Sequence, residues 1–273
     1  MPRPRKNGRT LGPVPSPSAG QLPPHLITKM EPSERKTRQV YELVRTAIVT
    51  LALRPGIALN EKLICEQLEI SRTPLREAIL QLSSENLVSV IPHSGTFVSR
   101  IDLQNVFDGQ VVRDALEMKL VRLAAVKMTS VFERELDFNL HKQRQLAKDL
   151  DYDGFYELDE TFHGLICEFA SSPQVWRIVK GAKVHLDRVR RLAIPVPSHV
   201  RLVLREHADI VGALKTRKPD NAARSMQIHL DGVFEAIRRL IEEKSEYFSA
   251  SSAEELAQFE AGYQKAATNP VAV

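Results

Sequence analysis

Ser71-Arg72-Thr73-Pro74-Leu75-Arg76-Glu77-Ala78 is the stretch from which the rest of the chain is read. Ser71 is a natural helix N-cap, its hydroxyl able to accept a hydrogen bond from a first-turn N–H. Pro74 is tolerated there because those N–H groups have no intrahelical partner. Leu75, Ala78, Ile79, Leu82 and Leu87 recur at helical spacing and give the helix one buried side. Arg72, Thr73 and Arg76 fall on the other side. Two guanidiniums and a hydroxyl at an exposed helix start suit entry into a DNA major groove. Taken alone they suit a solvated basic helix end equally well, so the flanks decide.

Upstream, Val40, Leu43, Val44, Ala47, Ile48 and Leu51 share one helical face from Thr37 onward. That helix should stop before Arg54-Pro55-Gly56, because proline disfavours helical geometry in the residue before it. A second helix is expected from Asn60, its N-cap, to about Glu69, with Leu63, Ile64 and Leu68 inward. Ile70 alone joins it to Ser71, a helix-turn-helix junction. Downstream, Leu87-Val88-Ser89-Val90-Ile91 and Thr96-Phe97-Val98-Ser99 flank Pro92-His93-Ser94-Gly95, which reads as a β-hairpin. Three helices and a hairpin make a winged helix-turn-helix over residues 37–100, and the flanks favour DNA.

Several spaced blocks in this region resemble the GntR family of bacterial transcription regulators. They are Leu53-Arg54-Pro55-Gly56, Leu59-Asn60-Glu61-Lys62-Leu63, the Ser71–Ala78 octet and Pro92-His93-Ser94-Gly95-Thr96-Phe97-Val98. The resemblance covers roughly residues 38–100. It implies that Arg72, Thr73 and Arg76 read the major groove while the wing tip at His93, Ser94 and Gly95 enters the adjacent minor groove. Lys62 stands where related members often place an arginine, keeping the charge without the bidentate fork. Asn86 replaces a more usual glycine and tolerates the same left-handed turn.

Beyond Arg100 the pattern is helical to about Phe248, and six amphipathic helices with short links are expected to form an antiparallel bundle over residues 101–248. The fourth should run on from Pro173 through Leu186, and Ser198 should cap the fifth. The fold class is thus mainly α, a winged helix-turn-helix followed by a six-helix bundle. Residues 1–36, rich in Pro, Gly and Ser, read as a disordered basic tail. Residues 249–273 turn polar and small and read as a frayed end.

Charge sharpens the assignment. The chain of 273 residues carries a formal +4, yet residues 1–36 hold seven Lys/Arg against two Glu, leaving the remainder at −1. DNA affinity in the folded part must therefore come from local placement. No apolar run approaches the ~20 residues that span a bilayer. The basic N-terminus has no apolar signal core, and Cys65 and Cys167 form no metal-ligand pair, so a cytoplasmic setting is expected.

Inside the bundle, Asp159 and His163 lie four apart on the third helix and project as neighbours. His207 lies in the row Val203, His207, Ile210, Leu214, and His229 in the row Met226, His229, Leu230, Val233. A lone histidine on an apolar stripe is more often a satisfied core residue than a ligand. Three of them with an i, i+4 carboxylate could bind a first-row transition metal. The other histidines (His25, His93, His141, His185 and His199) read as tail, wing, surface or loop positions.

The helical half also resembles the FCD ligand-binding domain of the FadR-type branch of that family, over about residues 102–245. Asp159-Glu160-Thr161-Phe162-His163, Glu206-His207 and His229-Leu230 match its metal-binding blocks in order. The resemblance implies a metal at Asp159, His163, His207 and His229, a small organic acid as effector, and, with six helices, the smaller VanR-like layout. Donor chemistry favours zinc or nickel, with manganese or iron also accommodated. Arg113, in the context Arg113-Asp114-Ala115-Leu116-Glu117, is the candidate for gripping an effector carboxylate; an intra-bundle or surface salt bridge is its alternative role. Arg188 and Arg191 are weaker candidates for the same role.

The reading is a ligand-controlled DNA-binding regulator, a repressor or activator, acting as a homodimer on a near-palindromic operator. A metal-dependent hydrolase is the competing class, but no separate general base accompanies the site, Glu160 and Glu206 each lying one step from a ligand. A metal that only holds the bundle together is the third.

Overall fold

A computed structural model of the chain describes residues 20–27 and 35–268. The chain divides into two compact units, one up to Ala47 together with Ile57–Val98, the other comprising Ile48–Gly56 and the chain from Ser99. Ile48–Gly56, expected within the 37–100 domain, thus groups with the second unit.

The first unit contains α1 (Lys36–Val49), α2 (Glu61–Gln67), α3 (Arg72–Ser84), β1 (Val88–Ile91) and β2 (Gly95–Val98). Val40, Val44, Ile64, Leu75, Ala78 and Leu82 are among its buried side chains. Asn60 caps α2 by accepting from the Leu63 N–H at 3.0 Å. Ser71 does not cap with its hydroxyl as expected; it precedes α3 in extended backbone with no side-chain cap bond. Asn86 takes the left-handed conformation (φ 57°) at the end of α3, and Leu87 N–H donates to Leu82 O at 3.0 Å, closing the helix. The hairpin is antiparallel, with Val88 opposite Val98 and Ile91 opposite Gly95. It gains a third edge where Leu59 N–H donates to Thr96 O and Val98 N–H to Ile57 O.

Of the basic tail expected to be disordered, residues 1–19 and 28–34 lie outside the described residues, but Gly20–Ile27 is ordered against the helix-turn-helix. Leu22 is fully buried, and the Gln67 carboxamide pairs with both its backbone groups, at 3.0 and 2.9 Å. A buried leucine with satisfied backbone is what the Pro/Ser-rich composition concealed.

The second unit contains α4 (Leu103–Lys127), α5 (Ser130–Asp149), α6 (Tyr152–Ala170), α7 (Pro173–Ala182), α8 (Val184–Ala193), α9 (Pro197–Lys215), α10 (Pro219–Glu243) and α11 (Ser252–Thr268). The expected fourth helix of six is therefore two. It breaks at Lys183 (φ −95°, ψ 13°), where the backbone of Ala182 and Lys183 packs on Gly109 of α4. A Cβ on Gly109 would lie 2.9 Å from Ala182 O. The fifth expected helix starts two residues early, at Pro197 with Val196 as its N-cap, placing Ser198 inside it. The closing segment expected to fray forms α11 as far as Thr268, residues 269–273 lying outside the described residues, because Leu256 is buried and the Phe259 ring stacks on Phe107 with centroids 4.0 Å apart. Among the described residues no helix is long and apolar enough to cross a membrane.

Candidate metal centre and nucleic-acid face

Asp159 and His163 reach inward from α6, His207 from α9 and His229 from α10. One donor atom from each lies within 4.8 Å of the others, and all four residues are buried. Atoms around one ion at about 2.1 Å lie at most about 4.2 Å apart, so a contraction of a few tenths of an ångström would complete the shell.

What orients the imidazoles is more telling than their proximity. Gln143 Nε2 donates to Asn139 Oδ1 at 2.6 Å, which leaves its Oε1 as acceptor, 2.9 Å from His207 Nδ1. His207 Nδ1 therefore carries the proton. Its Nε2 is an unprotonated, buried atom with no hydrogen-bond partner, and its nearest carboxylate atom is Asp159 Oδ1 at 3.6 Å. His163 Nδ1 faces Glu117 Oε2 at 2.7 Å, while Arg113 Nη2 approaches its Nε2 at 3.3 Å. Arginine only donates, so this guanidinium engages the Nε2 lone pair of His163. His229 Nδ1 lies 2.9 Å from Glu206 Oε2, and its Nε2 lies 3.2 Å from His163 Nε2. These nitrogens converge beside a carboxylate, a donor set that a divalent cation would bind in common. Outer groups that pin the Nδ1 protons are the usual support for ligating histidines.

Electrostatics hold the imidazoles neutral and the carboxylate ionised. Burial pushes His163 and His207 well below the usual imidazole range, helped by the Arg113 guanidinium for the first and by His229 for the second. Burial pushes His229 down to about 3. For Asp159 burial acts upward, but the Arg190 guanidinium and the three histidines outweigh it and hold the carboxyl well below its usual range. Arg190 Nη2 donates to Asp159 Oδ2, leaving Oδ1 free to ligate. Neutral imidazoles and an ionised carboxylate in an apolar interior fit a divalent first-row ion.

Several of these supports escape a reading of the sequence. Arg190, not Arg188 or Arg191, meets Asp159; its other nitrogen donates to Glu160 Oε1 at 2.6 Å. Arg191 instead pairs with Asp153 and Glu157, and Arg188 donates to Ser99 O at 2.5 Å. Glu160, set aside as off the face, also binds the buried Lys183 Nζ at 2.7 Å. Glu206, likewise set aside, holds His229. His185, expected at the surface, is buried. His199 lines a small cavity with Arg113, Asp159, Arg190, Glu206 and His229. Arg113 is itself buried and pairs with Glu117 at 2.6 Å, so the intra-bundle salt bridge exists and its guanidinium also borders the cavity. That cavity measures ≈ 40 Å³, room for about two or three waters.

On the first unit, Arg72, Thr73 and Arg76 are exposed along the start of α3, with Leu75, Ala78 and Ile79 buried behind them. Lys62 is exposed near the start of α2, 3.8 Å from Glu66. His93 (φ 61°) and Gly95 (φ 119°) form the exposed hairpin tip. A Cβ on Gly95 would meet no atom within 4 Å, so only its positive φ restricts that position.

Comparison with known proteins agrees with both units. Residues 36–98 match the model of the bacterial regulatory proteins of the gntR family, and residues 110–232 that of the FCD domain. The chain is 33% identical to the HTH-type transcriptional repressor RspR of Escherichia coli K12 over 81% of its own length and 97% of the relative's. It is 36% identical to an HTH-type transcriptional regulator of Streptomyces ambofaciens, covering 79% and 91%. Its fold matches the solved structure of McbR/YncC from E. coli with a TM-score of 0.62 at 24% identity, covering 77% of this chain and 99% of that one.

Proposed function

Because the chain belongs to the GntR family of bacterial transcription regulators and carries an FCD domain, we propose that its operator binding is controlled by a small organic acid bound beside a metal held by Asp159, His163, His207 and His229. The family and these relatives are DNA-binding transcription regulators and not enzymes. The E. coli relative is named a repressor, and repression is the direction proposed here. The observation that supports the metal is the buried cluster itself, one donor atom each from Asp159, His163, His207 and His229 within 4.8 Å of one another, with His207 and His229 oriented through Nδ1 by Gln143 and Glu206. Zinc or nickel suits the donor set best, with manganese or iron also admitted.

The metal would supply an open coordination position for a carboxylate. Arg113 and Arg190, both bordering the cavity, would bind the acid's remaining oxygens and neutralise its charge. At ≈ 40 Å³ the cavity is too small for anything larger than the smallest acids, so binding would part the helices that line it, α4, α6, α8, α9 and α10. A ligand that prefers the parted state shifts the population of conformers able to fit both half-sites of a near-palindromic operator, on which the chain would act as a homodimer.

The test is a thermal-shift screen of small carboxylic acids against protein loaded with zinc or nickel. At least one acid should stabilise the loaded form and not the metal-stripped form. If no acid distinguishes the two, the effector assignment fails. Melting of the bundle on metal removal, with no acid response, would identify a structural ion instead.

A further inference from the structure

The second unit has another recess, on the far side of α9 from the cavity beside Asp159. Where the end of α5 meets the start of α9, a groove of ≈ 340 Å³ is lined by Ala147, Val200 and Leu204 among others. Ala147, Tyr152 and Leu204 pack on the buried cluster of Phe155, Tyr156, Val200 and Val203, so the floor is apolar. Val200, Arg201 and Leu204 of α9 face this groove, while Val203 and Glu206 face the cavity. The two spaces are separate.

The charge around the groove has one sign. Arg144, Lys148 and Arg201 line it, and no Asp or Glu does. Among the described residues none of these three cations makes an ion pair or a side-chain hydrogen bond. The other end of the same α5–α9 seam is built differently, with Lys215 bridging to Glu133 and Asp137. Like charges gathered over an apolar floor repel one another, and an anion among them would reverse that cost. Leu150 on the rim adds a second cost. It closes α5 in the left-handed conformation (φ 58°), which few side chains other than Asn or Asp adopt readily, and it is 62% exposed. Strain of this kind collects at ligand clamps.

Size selects the class of occupant. The nine lining residues fall well short of the roughly 20–30 per side in a stable protein interface. The volume lies instead in the range of small-molecule sites. At about 30 Å³ each, the share of one water in the liquid, it has room for about ten non-hydrogen atoms.

We propose that the groove is a second small-molecule site, for a carboxylic acid with an apolar body and about ten non-hydrogen atoms in all. Arg144, Lys148 and Arg201 hold the carboxylate, and Ala147, Leu150, Val200 and Leu204 cover the body. Such an acid is too large for the ≈ 40 Å³ cavity. The site is independent of the metal and of the acid proposed beside it.

Octanoate and cinnamate, the alkyl and aryl forms of such an acid, are the probes, with octanamide and octylamine as neutral and cationic controls. Binding is measured by calorimetry on the full chain, zinc-loaded and metal-stripped. At least one of the two acids should bind saturably, one per chain, with the same affinity in both preparations. Octanamide should bind about 10-fold or more weakly than octanoate, and octylamine should not bind. The combined Arg144→Gln, Arg201→Gln variant, changed only at exposed positions, should lose about 10-fold or more in acid affinity with octanamide unaffected. Leu150→Asn, which suits the left-handed turn, should raise the denaturation midpoint yet weaken the acids and octanamide alike. Saturable binding of neither acid overturns the site, as does full affinity in the arginine variant. Binding that requires zinc overturns it by placing the acid in the cavity. A halved mass in light scattering for the arginine variant, with neither acid bound by the full chain, would assign the groove to a second copy instead.

Discussion

At the scale of single residues, the chemistry of the buried centre is decided by atoms outside it. Gln143 has its amide fixed by Asn139, so it dictates the tautomer of His207. Gln143→Leu should lower metal affinity about 10- to 100-fold with the bundle still folded, as read by competition with a chromophoric chelator. Wild-type affinity in that variant would contradict the anchoring argument. The same histidines set a pH dependence. Folded, they resist protonation, whereas in the unfolded chain they titrate near 6.5. Below that value the unfolded state takes up protons the folded state does not, so stability falls as pH falls. Glu206 acts oppositely, since burial raises it to about 7 and the folded state protonates first. Three histidines outweigh one carboxyl, and metal-stripped protein should lose up to about 3 kcal/mol per pH unit below 6.5. Denaturant titrations at pH 7 and pH 5.5 would show it, and equal stability at the two would contradict it.

At the scale of elements, α8 carries the least expected pattern. Its ten residues hold Arg188 and Arg190, both buried, and the two differ sharply. Arg190 is paired with Asp159 and Glu160. Arg188 is fully buried with Nε and Nη1 unpartnered, and burial pulls its guanidinium down to about 10. A buried cation without a counter-charge destabilises. Arg188→Met should therefore raise stability by about 1–3 kcal/mol, measured as the denaturation midpoint; a clear loss would show that its bond to Ser99 O dominates. This element also marks where the sequence stopped being legible. The buried cluster of Asp159, His163, His207 and His229 was readable because each shares a row with apolar neighbours. Glu117, four residues from Arg113, left a weak signal, as did Asn139 and Gln143 at inward positions with Leu136 and Leu140. Arg190 left none. The break at Lys183 shifts the helical phase, so a single helix through Leu186 assigns Arg188 and Arg191 in its place. The break sits where Ala182 and Lys183 approach Gly109, more than seventy residues away and outside any local pattern.

At the scale of the whole molecule, the two units divide the labour that the sequence suggested. The octet at Ser71–Ala78 was legible because local rules govern it: a junction, a stripe and an exposed basic turn. Its cap was not, since whether the Ser71 hydroxyl or solvent serves the first turn depends on a rotamer. Gly20–Ile27 and α11 were missed because polar, small-residue segments become ordered through one or two buried side chains, Leu22 in one case and Leu256 with Phe259 in the other. For the output, Arg72→Ala and Arg76→Ala should each cost about 1–3 kcal/mol of operator affinity and relax preference at one base pair. Unchanged binding in an anisotropy titration would displace the recognition face. For the link between input and output, the decisive quantity is the coupling between acid and operator. It is measured by titrating an acid found in the thermal screen into the protein–operator complex, once with metal-loaded protein and once with stripped protein. Operator should be released from the loaded protein and retained by the stripped protein and by His163→Ala. Equal release from all three would contradict it.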